Sequence, residues 1–318
     1  MDEKKSNMKL VYFGNGVRAV TCLKALFDNG FNIELIVGKA GETLDDSSVT
    51  GLAKINGIKF ITPNNPNDIE SESVIREAEP DLCVLGGYGK ILKDNIINIP
   101  KIMCINLHGG KLPEYRGSSP LNWALINDEK TFGISIVKVD IGVDTGELID
   151  ERIFDIGPED TIVELHKKAN EAFPEMLVKV IKSIEENTFA LKKYDRLSGS
   201  YFPLRFEEDG FILFDLFTAK EVYNKIRALT TPSTYAYSYY KGKKIKFISA
   251  KFSKLPYYGE PGRVYLKSSN GLLVCCKDKC VWISKAVIEG SGEDPFEIIE
   301  RYSSFSTIRG QILKSLKG

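Results

Sequence analysis

The sequence predicts an α/β protein in which a mostly parallel sheet is followed by a second, smaller β domain. The chain has 318 residues, about twice the length of an average domain. Its first half alternates short apolar runs with helical stretches, whereas its last third holds short strand-like runs separated by glycine-containing turns. With 43% apolar residues and a formal net charge of zero, the composition is that of a globular chain and excludes general disorder.

Apolar runs predict five strands in the first half, at residues 9–13, 33–37, 59–61, 82–85 and 104–107. Between the first two runs, Val20, Leu23 and Phe27 recur at helical spacing and Gly30 follows them, which predicts a helix that ends at a glycine. Strand, helix and strand in succession are typical of a parallel sheet with right-handed crossovers. We therefore expect a Rossmann-like first domain.

Two more extended segments, 133–139 and 147–154, and a helix that begins near Thr161 complete this predicted domain. We expect Pro174 to kink or interrupt the helix, and His166 to face outward from it without a role. Residues 187–203 are polar and irregular. We therefore predict a catalytic domain at residues 1–203 and a second domain at residues 204–318.

The second domain is predicted to be a small β barrel preceded by a short helix. Thr218 and Glu221 form a capping-box pattern at the start of that helix. Short strands separated by glycine turns are typical of small barrels. They are predicted at residues 235–240, 244–250, 263–266, 272–276 and 281–288.

Charge, cysteine and hydropathy patterns limit the possible functions. Residues 1–200 carry a net charge of −7 and residues 201–318 one of +7, which raises the question of a polyanionic partner for the second half. The six cysteines include no C-x-x-C pair and there are only two histidines, so no structural zinc site is expected. No apolar stretch reaches the ~18–20 residues that span a bilayer, and no signal-peptide pattern follows Met1, so we expect a cytoplasmic protein.

Residues 14–19 read Gly-Asn-Gly-Val-Arg-Ala and match the dinucleotide-binding pattern G-x-G-x-x-A. That pattern also needs an acid at the end of the second strand, whereas the only acid here, Glu34, lies at its start. We interpret the glycines as a tight turn that allows close helix packing, although the helix N-terminus could still hold a phosphate. An NAD(P)-dependent dehydrogenase remains the alternative from a different functional class.

The stretch from Ile105 to Trp123 contains the residues best suited to chemistry. Asn106 and His108 are two apart in a predicted strand, so they point to one face at its C-terminal end, where open α/β sheets bind ligands. Asp144 follows on a glycine-bearing loop. An amide, an imidazole and a carboxylate suit acyl transfer to an amine, because they can stabilise an oxyanion, transfer a proton and control the imidazole's charge. Spacing alone equally permits a structural histidine.

The order and residue pattern of these motifs resemble those of the N10-formyltetrahydrofolate-dependent formyltransferase family. The family's three hallmarks occur in order: Asn-x-His at 106–108, Leu-Pro-x-Tyr-Arg-Gly at 112–117 and Asp-x-Gly-x-Asp-x-Gly at 140–146. The likeness extends from Met8 through the second domain, which is similar to the family's OB-fold-like C-terminal module. It therefore covers nearly the whole chain.

This resemblance implies a mechanism and a co-substrate, N10-formyltetrahydrofolate, without a metal. A substrate amine attacks the formyl carbon directly, His108 transfers the proton, Asn106 stabilises the tetrahedral oxyanion and Asp144 raises the pKa of the histidine. The pterin of the folate is expected to lie against two segments, largely through backbone groups. The residues so implied are Tyr88, Lys90, Ile91, Leu92, Asp140, Ile141, Gly142 and Val143. A simple turn is the alternative interpretation of residues 86–89.

Within this family, the sequence favours a nucleotide-linked amino sugar as acceptor. The tRNA enzymes typically carry a long basic loop after the second strand, whereas residues 38–48 here hold three acids and one base and would repel phosphates. The stretches 115–123 and 201–205 are similar to bacterial UDP-4-amino-sugar formyltransferases. We expect substrate binding at Tyr115, Arg116 and Ser118. Ser118 replaces an arginine of a related sugar enzyme, which leaves the identity of the sugar open.

The alternative acceptor is initiator tRNA. Four lysines at 241, 243, 244 and 246 surround one turn with tyrosines nearby, a pattern that can bind single-stranded nucleic acid. A solvated hairpin has the same pattern, and we favour that interpretation. We therefore predict formyl transfer to the 4-amino group of a nucleotide-linked dideoxysugar, for glycan biosynthesis, with methionyl-tRNA formylation as the alternative. The nucleotide and the oligomeric state, for which a homodimer is one candidate, stay open.

Overall fold

The structure is a computed structural model that describes residues 6–195, 198–231 and 234–316. Its residues divide into two units. The first comprises Met1–Pro120, Thr131–Asp155 and His166–Phe202, and the second comprises Leu121–Lys130, Ile156–Leu165 and Pro203–Gly318. The division of the chain after residue 203 stays a prediction.

A seven-stranded sheet forms the centre of the first unit. The strands of this unit are β1 (Lys9–Gly14), β2 (Asn32–Val37), β3 (Lys59–Ile61), β4 (Leu82–Gly86), β5 (Met103–His108), β6 (Arg116–Gly117), β7 (Thr131–Lys138), β8 (Leu148–Asp155) and β9 (Tyr201–Phe202). The large sheet has the order β3-β2-β1-β4-β5-β7-β8, while β6 and β9 pair separately. The ladders among β1 to β5 are parallel, and β7 and β8 are antiparallel to their neighbours. The prediction of a mostly parallel sheet is confirmed.

The strands at the centre of this sheet are buried on both faces, which explains their continuous apolar sequences. In β1, Leu10 through Phe13 are fully buried, and β4 is buried along its whole length. Helices follow the strands. They are α1 (Gly16–Asp28), α2 (Val49–Ile55), α3 (Ile69–Glu77) and α4 (Asp94–Ile97). Helix α5 (Pro120–Ile126) belongs to the second unit apart from Pro120, and helix α6 (Ile162–Glu185) belongs to the first unit from His166 onward. Gly30 takes a φ of 69° just after α1, as the predicted glycine ending requires.

Helix α6 continues through Pro174, so the predicted interruption is wrong. Proline removes one backbone hydrogen bond from a helix interior. Burial of an apolar stripe offsets that loss over several turns. Its members include Ala169, Phe173, Leu177 and Ile181, all of them buried.

The second unit contains a five-stranded antiparallel sheet, which confirms the predicted smaller β domain. Its strands are β10 (Ala236–Tyr240), β11 (Lys243–Phe252), β12 (Val264–Ser268), β13 (Gly271–Cys275) and β14 (Cys280–Ile288), in the order β10-β11-β14-β13-β12. Helices α7 (Ala219–Ala228), α8 (Pro295–Ile298) and α9 (Ile308–Ser315) belong to the same unit. The capping box of Thr218 and Glu221 is present at the start of α7.

None of the helices among the described residues is both long and apolar enough to cross a bilayer. All six cysteines are free and buried.

Candidate active site

Strand β5 places Asn106 and His108 on one face of the sheet. It pairs with β4 on one side and with β7 on the other, so its backbone is fixed along both edges. The alternating residues Ile105 and Leu107 point to the opposite face and are buried. Asn106 is partly buried and His108 is 5% exposed. The two polar side chains therefore share one sheltered position at the end of the strand.

The carboxylate of Asp144 joins these two side chains. Its Oδ1 accepts a hydrogen bond from Asn106 Nδ2 at 3.2 Å, and its Oδ2 lies 3.3 Å from His108 Nδ1. Oδ2 also accepts from the backbone N–H of Gly117 at 3.0 Å. The side chain of Asp144 is only 9% exposed. The structure therefore brings together the three residues that the sequence identified, and their catalytic roles stay a prediction.

Asp144 reaches this position because the loop between β7 and β8 folds back on itself. The loop closes through a hydrogen bond from Lys138 N to Glu147 O at 2.9 Å. Asp144 itself has a φ of 51°, in the left-handed region that non-glycine residues rarely adopt. A Cβ at Gly146 would lie 1.7 Å from Lys138 O, so only glycine fits beside the closing bond.

The ring of His108 is held at both nitrogens. Nε2 lies 2.7 Å from the carbonyl oxygen of Tyr115 and donates to it when that nitrogen carries a proton, since a carbonyl can only accept. A Cβ at Gly110 would lie 2.6 Å from Nε2, so glycine is needed for the chain to pass the ring. The buried Ser135 on β7 donates to Gly110 O at 2.8 Å and holds this turn.

The predicted substrate-binding residues lie in the segment that contacts Asp144 through Gly117 N. The Tyr115 ring stacks on Phe202, with centroids 5.2 Å apart. Arg116 Nη2 donates to Ser198 O at 3.4 Å, and Ser118 N donates to Phe202 O at 2.7 Å. Strands β6 and β9 thus attach residues 198–202 to the segment whose Gly117 N–H bonds to Asp144, a member of the trio of Asn106, His108 and Asp144. Substrate contact by these residues stays a prediction.

The first segment predicted to hold the pterin combines a partly buried tyrosine with a mainly exposed isoleucine. The Tyr88 ring meets Phe13 edge-on at 5.5 Å, and its buried hydroxyl has no hydrogen-bond partner among the described residues. Burial raises the pKa of Tyr88 to about 12, so the hydroxyl stays protonated. Leu92 is buried, Ile91 is 68% exposed, and Lys90 Nζ donates to Pro63 O at 2.7 Å. The Lys90 ammonium group therefore already has a hydrogen-bond partner in the protein itself.

The second predicted pterin segment is a turn at residues 140–143. Oδ1 of Asp140 accepts from Gly142 N at 3.1 Å and from the hydroxyl of Thr145. Ile141 is 78% exposed and Val143 is 37% exposed. Val139, at the start of the turn, packs against the same core cluster as Tyr88, so both segments lie on one side of the sheet.

His166 is half-buried next to Arg18, so its predicted outward orientation is wrong. Arg18 Nη1 donates to Leu107 O at 3.3 Å, and the guanidinium lies 4.6 Å from the centre of the Phe173 ring. Burial lowers the pKa of Arg18. Burial, and secondarily the charge of Arg18, lowers the pKa of His166 to about 4. Arg18 therefore supports the backbone of β5 between Asn106 and His108.

Sequence reasoning missed the groups that support the trio. Gly117 N, Ser135 and Arg18 all act on or through the backbone, and no spacing pattern reports such contacts. Tyr194, whose hydroxyl donates to Asp144 O at 2.8 Å, lies in an irregular stretch without a motif. Within the part of the chain that the structure describes, no group of three or more His, Cys, Asp or Glu is arranged to hold a metal ion.

Two family models match most of the chain. A model described as formyl transferase matches residues 8–181, and one described as formyl transferase, C-terminal domain, matches residues 206–295.

Named relatives agree with these matches. The chain is 33% identical over 295 residues to the methionyl-tRNA formyltransferase of Caldanaerobacter subterraneus subsp. tengcongensis, covering 89% of this chain and 93% of that protein. It is 31% identical to the corresponding Clostridium tetani enzyme over 314 residues, covering 96% and 100% of the two chains.

Among solved structures, an N-formyltransferase from Helicobacter canadensis, in complex with folinic acid and dTDP-3-aminofucose, has the same fold. Its TM-score is 0.70 at 22% identity, over 88% of this chain and 100% of that one. Together, the matches cover the motifs that meet in the site, from Asn106 to Asp144. The chain therefore belongs to the formyltransferase family, and it is a folate-dependent one-carbon transferase that uses N10-formyltetrahydrofolate.

Proposed function

We propose that this protein transfers the formyl group to the 4-amino group of a nucleotide-linked dideoxysugar, for glycan biosynthesis. The observation that carries the proposal is that the lysines around the β10–β11 turn, the positive cluster that the sequence offers to a tRNA acceptor, are paired with carboxylates. Lysines and arginines bind a nucleic acid by displacing the counterions that surround its phosphates. An acceptor with many phosphates therefore needs lysines and arginines that are not already neutralised.

The lysines around the β10–β11 turn are neutralised by carboxylates of their own unit. The pairs are Lys241–Glu300, Lys243–Glu293, Lys244–Glu207, Lys244–Glu289 and Lys246–Glu289. Two of these lysines also lie over tyrosine rings, Lys244 over Tyr237 at 4.3 Å and Lys246 over Tyr235 at 5.7 Å. Each pair contributes little to stability because it is partly exposed. Together they remove the local excess of positive charge, and this favours the hairpin interpretation.

The segment after β2 is short and closed by its own hydrogen bonds. Asp45 Oδ1 accepts from Ser47 N at 2.9 Å, and Ser48 caps α2 by accepting from Gly51 N at 2.9 Å. Hydrogen bonds from Ser47 lower the pKa of Asp45, so it is ionised at neutral pH. An ordered acidic turn at this place disfavours an acceptor with many phosphates.

Methionyl-tRNA is the second candidate acceptor, and a specific observation favours it. The curated relatives that match at 30–33% identity are methionyl-tRNA formyltransferases, and the alignments cover about nine tenths of this chain. The relatives and the charge distribution thus favour different acceptors. The decisive measurement is therefore the rate of formyl transfer to each of the two.

The trio can act in the same way on either amine. One hydrogen of Asn106 Nδ2 is used by Asp144, and the other is free to support negative charge on the formyl oxygen. His108 accepts the proton of the attacking amine at Nε2, and the Asp144 carboxylate next to Nδ1 stabilises the imidazolium that results. The imidazolium then gives that proton to N10 of the folate as the bond from N10 to the formyl carbon breaks, and tetrahydrofolate leaves. The bound folate supplies an electrophilic formyl carbon. The buried Tyr88 hydroxyl and the exposed Ile91 and Ile141 fit a flat ring with a polar edge.

A competition assay tests the acceptor. The enzyme receives N10-formyltetrahydrofolate with methionyl initiator tRNA and a panel of nucleotide-linked 4-amino sugars, at low and at physiological salt. We expect formyl transfer to a sugar with little dependence on salt. Efficient formylation of the tRNA with a steep salt dependence would refute the proposal. The double variant Lys241→Gln/Lys243→Gln should retain full activity on the sugar, with Lys9→Gln, which breaks a similar exposed pair with Glu79, as the matched control.

A further inference from the structure

We propose that Tyr194 is a positioning residue that holds Asp144 in its working conformation. Its hydroxyl donates to the carbonyl oxygen of Asp144 at 2.8 Å. The proposal concerns the formyl-transfer step and is independent of which amine accepts the group.

Tyr194 is anchored in the first unit by its ring and by its chain segment. The ring packs against a small buried cluster of Leu112, Val137 and Leu148. Two residues earlier, Lys192 exchanges backbone hydrogen bonds with Leu148, at 2.8 and 3.0 Å. The hydroxyl therefore approaches Asp144 from a fixed support, so the bond loses little side-chain entropy when it forms.

The backbone of Asp144 needs such a support because of its conformation. With a φ of 51°, the residue lies in a region that costs a non-glycine side chain about 1 kcal/mol or more. Its carboxylate must meanwhile meet Asn106 Nδ2, His108 Nδ1 and Gly117 N at once. A change of the backbone at Asp144 that tilts its Cα–Cβ bond would move the carboxylate away from all three. A hydrogen bond to the carbonyl of the same residue opposes such a change.

The substitution Tyr194→Phe removes the hydroxyl and keeps the ring in its apolar cluster. We expect kcat to fall about tenfold, with the KM values of both substrates changed less than twofold, because the bond acts on the proton-transfer step rather than on binding. Unchanged kcat would overturn the proposal. A loss confined to KM would overturn it as well.

Tyr223→Phe is the matched control. The Tyr223 hydroxyl donates to Pro158 O, also at 2.8 Å and also partly buried, in the second unit. Both variants lose one hydrogen bond from a tyrosine to a backbone carbonyl, so their free energies of unfolding should fall by similar amounts. Only Tyr194→Phe should lower kcat. Equal losses of kcat in the two variants would mean that general destabilisation is the cause.

A double-mutant cycle with Asp144→Asn tests whether Tyr194 acts through that carboxylate. If it does, Tyr194→Phe should change kcat by less than twofold in the Asp144→Asn background. If the two substitutions lower kcat by independent factors that multiply in the double variant, Tyr194 does not act through Asp144 and the proposal is refuted. A direct readout is available because the chain has only two histidines. In a His166→Asn background, the NMR resonances of the His108 ring nitrogens should shift on Tyr194→Phe and stay in place on Tyr223→Phe. Unchanged His108 resonances in the Tyr194→Phe variant would contradict the proposal.

Discussion

The substitution Asp144→Asn offers the most direct test of the proposed roles of Asn106, His108 and Asp144. The asparagine side chain has nearly the same shape, but it exchanges one carboxylate oxygen for an NH₂ group and removes the charge. Two N–H donors converge on the carboxylate, from Asn106 and Gly117, and His108 Nδ1 lies 3.3 Å from it. If the new NH₂ takes the Oδ1 position, it faces the NH₂ of Asn106 and makes that amide rotate, which withdraws a donor from the formyl oxygen.

The expected loss follows from the distance between charge and ring. The Asp144 carboxylate lies 3.3 Å from His108 Nδ1. For a unit charge that develops on the imidazole at that distance, an effective dielectric constant of about 20 gives ~5 kcal/mol of stabilisation. The asparagine dipole and water retain part of this. A net loss of ~3–4 kcal/mol remains, which corresponds to about 10²–10³ in kcat.

The assay is steady-state formyl transfer with both substrates varied. We expect kcat to fall by about 10²–10³ while the KM for N10-formyltetrahydrofolate changes little, because Asp144 is assigned to proton transfer. Asp150→Asn is the matched control, since it neutralises a carboxylate on the adjoining β8 that forms an ion pair with the exposed Lys179. A kcat for Asp144→Asn within tenfold of the wild-type value, in a folded protein, would refute the assignment.

Two further predictions follow from the geometry. His108→Ala and Asn106→Ala should each lower turnover by at least ~10² with little effect on folding, and wild-type rates from both variants in the same transfer assay would show that neither acts in catalysis. The native pKa of His166, about 4 against 6.5 for the free side chain, means that the unfolded chain binds the extra proton as the pH falls. Stability should therefore be lost below about pH 6.5. Between pH 7 and 4.5, urea unfolding should show that wild type loses about 2 kcal/mol more than His166→Asn, and parallel losses would contradict this.

The amino-acid sequence was sufficient to predict the sheet and the three catalytic candidates, for local reasons. The central strands are continuous apolar runs because both faces are buried, and β3 begins and ends at the predicted residues. Asn106 and His108 share a face because side chains alternate along any strand. Their partnership with Asp144, 36 residues after His108, came from the motif order that resembles the family. No local rule connects the two segments.

Tertiary structure alone decided the contacts that depend on long-range folding. His166 was expected to face outward because helical spacing identifies only the apolar face of the helix itself. That spacing cannot show that Arg18 and neighbouring elements bury the imidazole ring. The lysines near the β10–β11 turn were counted as a positive cluster, whereas their neutralising glutamates come from residues up to 59 positions away. Tyr194 likewise meets Asp144 across 50 residues. Composition and periodicity record what each segment prefers by itself, but a hydrogen bond or ion pair forms only where the folded chain brings two segments within about 3 Å.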